Sequence, residues 1–327
     1  MTNWHDLAGR TLDGNDLNAP DALAILRSPD DELGDLLVAS YRLRYRYFGR
    51  DVRIHVLRNA KSGLCPEDCA FCSQSVVNAS PVARYRMQSV EELVAGAHEA
   101  YRRGAVKYCM VTSTRGPSDR ELEVICEATR RIKAEVEIRV CASLGLLRDG
   151  QAEALAAAGV DRFNHNLESS RRFFPEICGT HTFDDRVATV RKAKQAGMEA
   201  CCGGIMGMGE TADDRVALAL ELRALEVESI PVNFLDPRPG TPLAGRPRVS
   251  PQDCLRALAM MRFVNPSRDI RVAGGREVSL GDLQPLALLP ANSMFVNGYL
   301  TTPGAGWEAD LRLIEDAGFR IAELSGG

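Results

Sequence analysis

Eight short apolar runs separated by amphipathic stretches constrain this chain more than any other feature. The runs lie at 52–58, 106–112, 136–142, 160–166, 198–204, 229–235, 269–273 and 292–297. Helical patterns fill most of the intervals, at 89–103, 118–133, 184–196, 211–225, 250–264 and 308–317. Strands that alternate with helices predict parallel βαβ units. Eight such units close a (β/α)8 barrel, with an open doubly wound sheet as the alternative. A length of 327 residues suits one barrel plus an extension, and no Gly/Ser linker or low-complexity tract divides it. The expected organisation is α/β: a helical extension at 1–51, a TIM-type (β/α)8 barrel at 52–320 and a tail at 321–327. Within the extension, 19–26 and 31–48 carry apolar residues at helical spacing. Arg42, Arg44 and Arg46 read as a solvated helix face rather than a basic patch.

Charge and composition exclude several classes. Forty Lys and Arg against 44 Asp and Glu give a net charge of −4, which argues against a general nucleic-acid binder. No run of 18 apolar residues predicts a membrane span. The start, MTNWHDLAGRTLDG, has neither a basic n-region nor an apolar h-region, so no secretory signal and a cytoplasmic location are expected. In that setting the ten cysteines are better read as ligands, catalysts or core than as disulfides.

Three of them, Cys65, Cys69 and Cys72, form C-x3-C-x2-C in the long interval after the first strand. Barrel enzymes build their sites from the loops that follow strands. Three thiolates this close can converge on one metal centre. A structural zinc site wants a fourth Cys or His nearby, and none follows in the loop. On a [4Fe–4S] cluster, which normally takes four cysteines, three would leave one iron open to a small molecule.

Strand parity supplies a second set. Side chains alternate along a strand, and in a barrel one set faces the axis. If the apolar residues face the helices, Lys107 and Cys109 point inward, as do Glu137, Arg139 and Cys141. The same rule sends Glu199, Cys201 and Gly203 inward, and likewise Ser229, Asn233, Arg271 and Ala273. In the weaker pattern at 160–166, Arg162, Asn164 and Asn166 share one side. Free cysteine often serves as a small core hydrophobe. The residues alone therefore leave two readings open for Cys109, Cys141 and Cys201: core, or a second metal site beside Arg271. Cys126, Cys178, Cys202 and Cys254 read as core or surface, and His165 and His181 as structural.

The triplet spacing resembles the radical S-adenosylmethionine superfamily, in which the open iron binds S-adenosylmethionine and one electron from the reduced cluster yields a 5′-deoxyadenosyl radical. Longer stretches resemble the biotin synthase family specifically. They are CPEDCAFCSQS at 65–75, YCMVTSTRGPSDRE at 108–121, CASLGLL at 141–147, FNHNLESS at 163–170 and THTFDDR at 180–186. GGIMGMGET at 203–211, PVNFLDPRPGTPL at 231–243, IRVAGGRE at 270–277 and ANSMFVNGYLTTPG at 291–304 complete the set.

That resemblance implies sulfur insertion into dethiobiotin at two unactivated C–H positions, with two S-adenosylmethionine molecules consumed. It implies a second, [2Fe–2S] cluster as sulfur donor, held by Cys109, Cys141, Cys201 and Arg271. Arginine as a ligand rests on the resemblance alone, because a guanidinium is normally protonated. Phe71, Asn166, Glu168, Arg186 and Gly204 carry over as S-adenosylmethionine contacts. Gly203, Gly207 and Gly209 carry over as places where the backbone approaches it. Asn164, Asn233, Thr301 and Thr302 carry over as substrate contacts. A reduced electron donor of the flavodoxin or ferredoxin type and a homodimer are also implied. The alternative is a related radical enzyme on another substrate, of the hydrogenase-maturation kind.

Overall fold

The computed structural model describes residues 3–63, 65–301 and 304–322. Thr302 and most of the expected tail therefore lie outside the described residues.

Eight strand positions form a closed, all-parallel barrel. The strands are β1 (Asp51–Lys61), β2 (Lys107–Thr112), β3 (Arg139–Ser143), β4 (Arg162–Asn164), β5 (Glu199–Cys201) with β6 (Gly204–Met206), β7 (Ser229–Phe234), β8 (Asp269–Val272) and β9 (Ser293–Phe295). Each pairs with the next, and β1 pairs with β9 to close the ring. Each of the eight apolar runs lies on one of these positions. The fifth is broken in two at Cys202–Gly203. A Cβ on Gly203 would lie 1.9 Å from the Pro231 carbonyl oxygen, so the neighbouring backbone passes too close for any side chain there. One expectation fails: β3 begins only at Arg139, which leaves Glu137 exposed outside the barrel.

Helices α4 (Val90–Arg102), α5 (Asp119–Glu135), α6 (Gln151–Ala158), α7 (Phe183–Gln195), α8 (Ala212–Ala224) and α9 (Pro251–Val264) follow the strands in turn, with the short α10 (Arg276–Leu280) and α11 (Trp307–Asp316) after β8 and β9. Four of them begin with reciprocal capping boxes: Ser89 with Glu92, Ser118 with Glu121, Thr182 with Asp185 and Thr211 with Asp214. Each box satisfies two otherwise orphaned backbone donors and fixes where its helix starts. A last strand, β10 (Arg320–Ile321), pairs parallel with Asp51 and Val52 at the start of β1.

The extension holds α1 (Trp4–Leu12), α2 (Ala19–Leu26) and α3 (Leu33–Phe48). The first was not apparent from periodicity. Helices α2 and α3 pack on α9. Arg44 corrects the solvated-face reading of its neighbourhood. It is fully buried and donates to the carbonyls of Gly49, Asp51 and Ala291, with its guanidinium over the Phe319 ring. It ties α3 to the barrel, while Arg42 and Arg46 remain exposed.

Candidate functional site

The inward side chains stack in layers along the axis. The lowest is ionic. Glu199 accepts from Arg139 at 2.8 Å and from Arg162 Nε at 2.8 Å, and lies 3.8 Å from Lys107. Asp269 accepts from Ser293 Oγ at 2.6 Å and faces Arg162 at 3.5 Å. Burial alone would raise Glu199, but Arg162, Lys107 and Arg139 hold it down at about 2. Lys107 is pushed down to about 7 by burial and by Arg162. The layer plugs the barrel with charges that pair with one another, so neither sign is left buried and unpartnered.

Directly above sit the parity-selected cysteines. Cys109 stands opposite Cys141 in register, Cys141 opposite Arg162, and Cys201 opposite Asn164. A hydrogen bond from Cys109, together with Arg162, Arg271 and Lys107, pulls the Cys141 thiol down, against the effect of burial. Cys202, the neighbour of Cys201, is wholly buried in the outer core instead. Arg271 donates from Nη1 to Cys201 Sγ at 3.4 Å and from Nη2 to Ser229 Oγ at 2.8 Å. His55 Nε2 lies 3.4 Å from the same Nη2. Burial, then Arg271, hold His55 well below its ordinary range, so the neutral ring accepts that bond. Arg271 Nε is buried without a partner.

The mouth carries the loop triplet and the remaining candidates. A cavity of about 300 Å³ runs from this second layer to the loop. Cys65, Cys69, Cys72, Cys109, Cys141, Cys201 and Arg271 all line it, as do Phe71, Asn164, Asn166, Glu168, Arg186, Asn233 and Thr301. Asn233 accepts from Gly274 N at 2.9 Å and donates to the Gly204 carbonyl at 3.2 Å. Asn164 donates to Ser143 Oγ at 3.2 Å. Thr301 Oγ1 bonds Ser73 Oγ at 3.0 Å, which links the last loop to the cysteine loop.

Asn166 Oδ1 accepts from Gly203 N at 3.1 Å, and Arg186 Nη1 donates to the Asn166 carbonyl at 2.7 Å. Glu168 is buried in a left-handed conformation at φ 67°, faces Arg186 at 3.5 Å and leaves Oε2 without a partner. Gly204 lies outside the lining. A Cβ there would meet the Glu168 carbonyl oxygen at 2.6 Å, so this glycine lets the Glu168 backbone pair with β6. Gly207 and Gly209 serve a turn: their backbone N–H groups, with that of Met208, all donate to the Glu210 carboxylate.

One cysteine is buried as read but has a partner that the sequence reading did not give it. Cys178, read as core or surface, sits with Sγ 3.8 Å from Cys69 Sγ. Its thiol lies 3.3 Å from Asp68 Oδ1 and 3.3 Å from His181 Nδ1. The hydrogen bond from Cys69 pulls it down to about 4. The signal in the sequence was the spacing Cys178-x2-His181 just ahead of Arg186, but the partner residue lies 109 positions away.

The residues suit the groups that the resemblance implies. Among the described residues, neither the loop triplet nor the barrel trio brings all three of its sulfurs within single-ion distance of one another, which leaves room for clusters. The unpartnered Glu168 Oε2 and Arg271 Nε mark where bound groups would complete the hydrogen bonding.

Comparison with known proteins gives a consistent picture. The Radical SAM superfamily profile matches residues 61–222, and that of the Biotin and Thiamin Synthesis associated domain matches 231–320. The chain is 57% identical over 327 residues to a biotin synthase of Salinibacter ruber, which covers all of this chain and 91% of the relative. It is 50% identical to one of Geobacillus thermodenitrificans over 98% of this chain and 97% of the relative. Among solved structures, a methylornithine synthase superposes with TM-score 0.86 at 20% identity, over 97% of each chain. An FeFe-hydrogenase maturase of Carboxydothermus hydrogenoformans superposes with TM-score 0.84 at 18% identity, over 99% of this chain and 80% of that one. These two share the barrel fold. On the full-length identity and the two matching profiles, the chain belongs to the biotin synthase family of radical S-adenosylmethionine enzymes.

Proposed function

We propose that this chain inserts sulfur into dethiobiotin to form biotin, with S-adenosylmethionine as radical source. The observation that carries the reading is one cavity lined at its mouth by the loop triplet and at its floor by Cys109, Cys141, Cys201 and Arg271. When bound, the groups supply a 5′-deoxyadenosyl radical at the mouth and sulfur at the floor.

The protein's part is positional. Cys65, Cys69 and Cys72 hold the [4Fe–4S] cluster. Arg186, poised over the Phe174 ring and against Cys69, meets the carboxylate of S-adenosylmethionine. Glu168 and Asn166 take the ribose hydroxyls, and Phe71 flanks the adenine. Gly204 acts on that site through Glu168. Asn164 and Asn233 address the ureido ring with paired donor and acceptor groups. Thr301 meets the carboxylate tail, a role the resemblance also gives to Thr302, which lies outside the described residues. At the floor, Cys109, Cys141, Cys201 and Arg271 hold the [2Fe–2S] cluster. Ser229, His55 and Asp269 orient the Arg271 guanidinium.

The same reading carries a flavodoxin- or ferredoxin-type electron donor, a homodimer and a cytoplasmic location. No helix among the described residues is long and apolar enough to cross a membrane. It also treats 52–320 as one barrel unit behind the 1–51 extension and ahead of the 321–327 tail. The hydrogenase-maturation alternative is not favoured: its support is a shared fold at 18% identity.

The test is anaerobic. The chain is loaded with iron and sulfide and given reductant, S-adenosylmethionine and dethiobiotin, and products are quantified by mass spectrometry. Biotin with two deoxyadenosines per molecule is expected. Deoxyadenosine release that dethiobiotin does not stimulate, with no biotin, would reject the substrate.

A further inference from the structure

We infer that the cluster-free chain holds a single soft divalent cation of the zinc type at Cys69, Cys178 and His181, with a Glu67 or Asp68 carboxylate as fourth ligand. Among the described residues this is the one group whose ligand atoms all lie within 4.8 Å of one another, and all three residues are buried. A tetrahedral zinc with metal–sulfur bonds of about 2.3 Å needs its two sulfurs about 3.8 Å apart. Cys69 and Cys178 stand at 3.8 Å. The nitrogen-to-sulfur edge of such a site is about 3.6 Å. The His181 ring presents Nδ1 at 3.3 Å and Nε2 at 3.7 Å from Cys178 Sγ.

The surroundings orient the ligands as metal sites do. Arg186 Nε donates to His181 Nε2 at 2.9 Å, which leaves the proton on Nδ1, facing Glu67. Glu67 is itself fixed by Thr180 Oγ1 at 2.6 Å and Arg115 at 3.1 Å. Asp68 is held by the backbone N–H groups of Gly179 and Thr180. On binding, the proton that Cys69 donates to Cys178 leaves to solvent, and Arg186 gives up Nε2 to the cation while Nδ1 keeps its proton on Glu67, so that His181 ligates as a neutral imidazole. Two thiolates, an imidazole and a carboxylate form a donor set suited to zinc.

The site excludes the catalytic cluster, because Cys69 cannot serve both. That exclusion rests on reading Cys69 as a [4Fe–4S] ligand, whereas the cation site itself does not. It would keep Cys69 out of oxidation until a cluster arrives.

The experiment uses the full chain without iron or sulfide, reduced and anaerobic, titrated with Co²⁺ and then displaced with Zn²⁺. Thiolate-to-cobalt absorption at one equivalent is expected. Loss of a second-shell partner already costs about 10–100-fold in affinity, so Cys178→Ala should weaken binding at least about tenfold. Cys65→Ala should leave it unchanged. X-ray absorption on the zinc-loaded wild-type chain should count two sulfurs and two N/O ligands, a result that holds even if a variant folds poorly. Three sulfurs, or binding lost in Cys65→Ala but kept in Cys178→Ala, would place the ion in the triplet and overturn the inference. Absence of thiolate-to-cobalt absorption would overturn it too. One equivalent of zinc should also slow [4Fe–4S] loading of the wild-type chain but not of Cys178→Ala. Unslowed loading with the cobalt result intact would count against Cys69 as a cluster ligand and spare the cation site.

Discussion

Cys65, Cys69 and Cys72 lie within eight residues of one another on a loop, whereas Cys109, Cys141, Cys201 and Arg271 come from four strands. The loop set depends on local chain geometry and on partners that reach across to it: Cys178, Arg186 and, through Ser73, Thr301. The barrel set is fixed by register and sits on an ionic layer that fills the axis beneath it. The difference teaches a division of labour. A loop can admit a cluster and a small cofactor at the open end, while a floor buried on rigid strands can hold a group that must not exchange with solvent. A site built on strands is also the more exactly positioned of the two.

Variants at each set separate the two. Cys65→Ala should have the largest effect and lower deoxyadenosine release at least about a hundredfold. Urea unfolding should barely change, because the residue lies on a half-buried loop position. A large drop in the unfolding midpoint would mean that the loop is structural. Arg271→Ala should act on stability as well as product. It leaves Asp269 facing one cation fewer, and breaking a buried pair costs about 3 kcal/mol. A stable variant would show that Arg162 and Ser293 suffice to hold Asp269.

Glu199→Gln tests the ionic layer itself. The carboxylate is partly exposed, so a loss of about 2 kcal/mol near neutral pH is expected rather than the full cost of a buried pair. Its pKa is depressed to about 2 in the folded chain. The stability it contributes is therefore fully present above the ordinary carboxylate range and fades as pH falls toward 2. The gap between wild type and variant should narrow over that acid window. A gap that stays constant would assign the effect to packing. Asn164→Ala should have the smallest effect. It removes one side-chain bond to Ser143, so the unfolding free energy should move by less than about 1 kcal/mol, while KM for dethiobiotin rises up to about tenfold. An unchanged KM would remove Asn164 from the substrate pocket.

The sequence exposes the two sets to different degrees. The triplet is visible by spacing alone. The barrel set is visible only because apolar residues on β2, β3, β7 and β8 face the helices so consistently that parity picks out Cys109, Cys141, Asn233 and Arg271. That logic misplaces Glu137, since the strand begins three residues later than the apolar run. It says nothing of pairing between layers, so Lys107, Arg139 and Glu199 are seen to face inward without being seen to neutralise one another. Arg44 looks solvated because helical periodicity cannot report that β1 and Ala291 offer it carbonyls. Cys178 is hidden for a similar reason: its partner Cys69 comes from a different loop. Helix α6 is Ala-rich on every face and gives a weak periodic signal, though Gly150 and Gly159, both at positive φ, mark its ends.

The central claim is that the mouth generates the radical and the floor supplies the sulfur. Cys141→Ala tests it most directly, with deoxyadenosine and biotin quantified from the same anaerobic reaction. The account predicts deoxyadenosine without biotin, because the loop set is intact and the floor has lost a ligand. Biotin at the wild-type yield from this variant would contradict it.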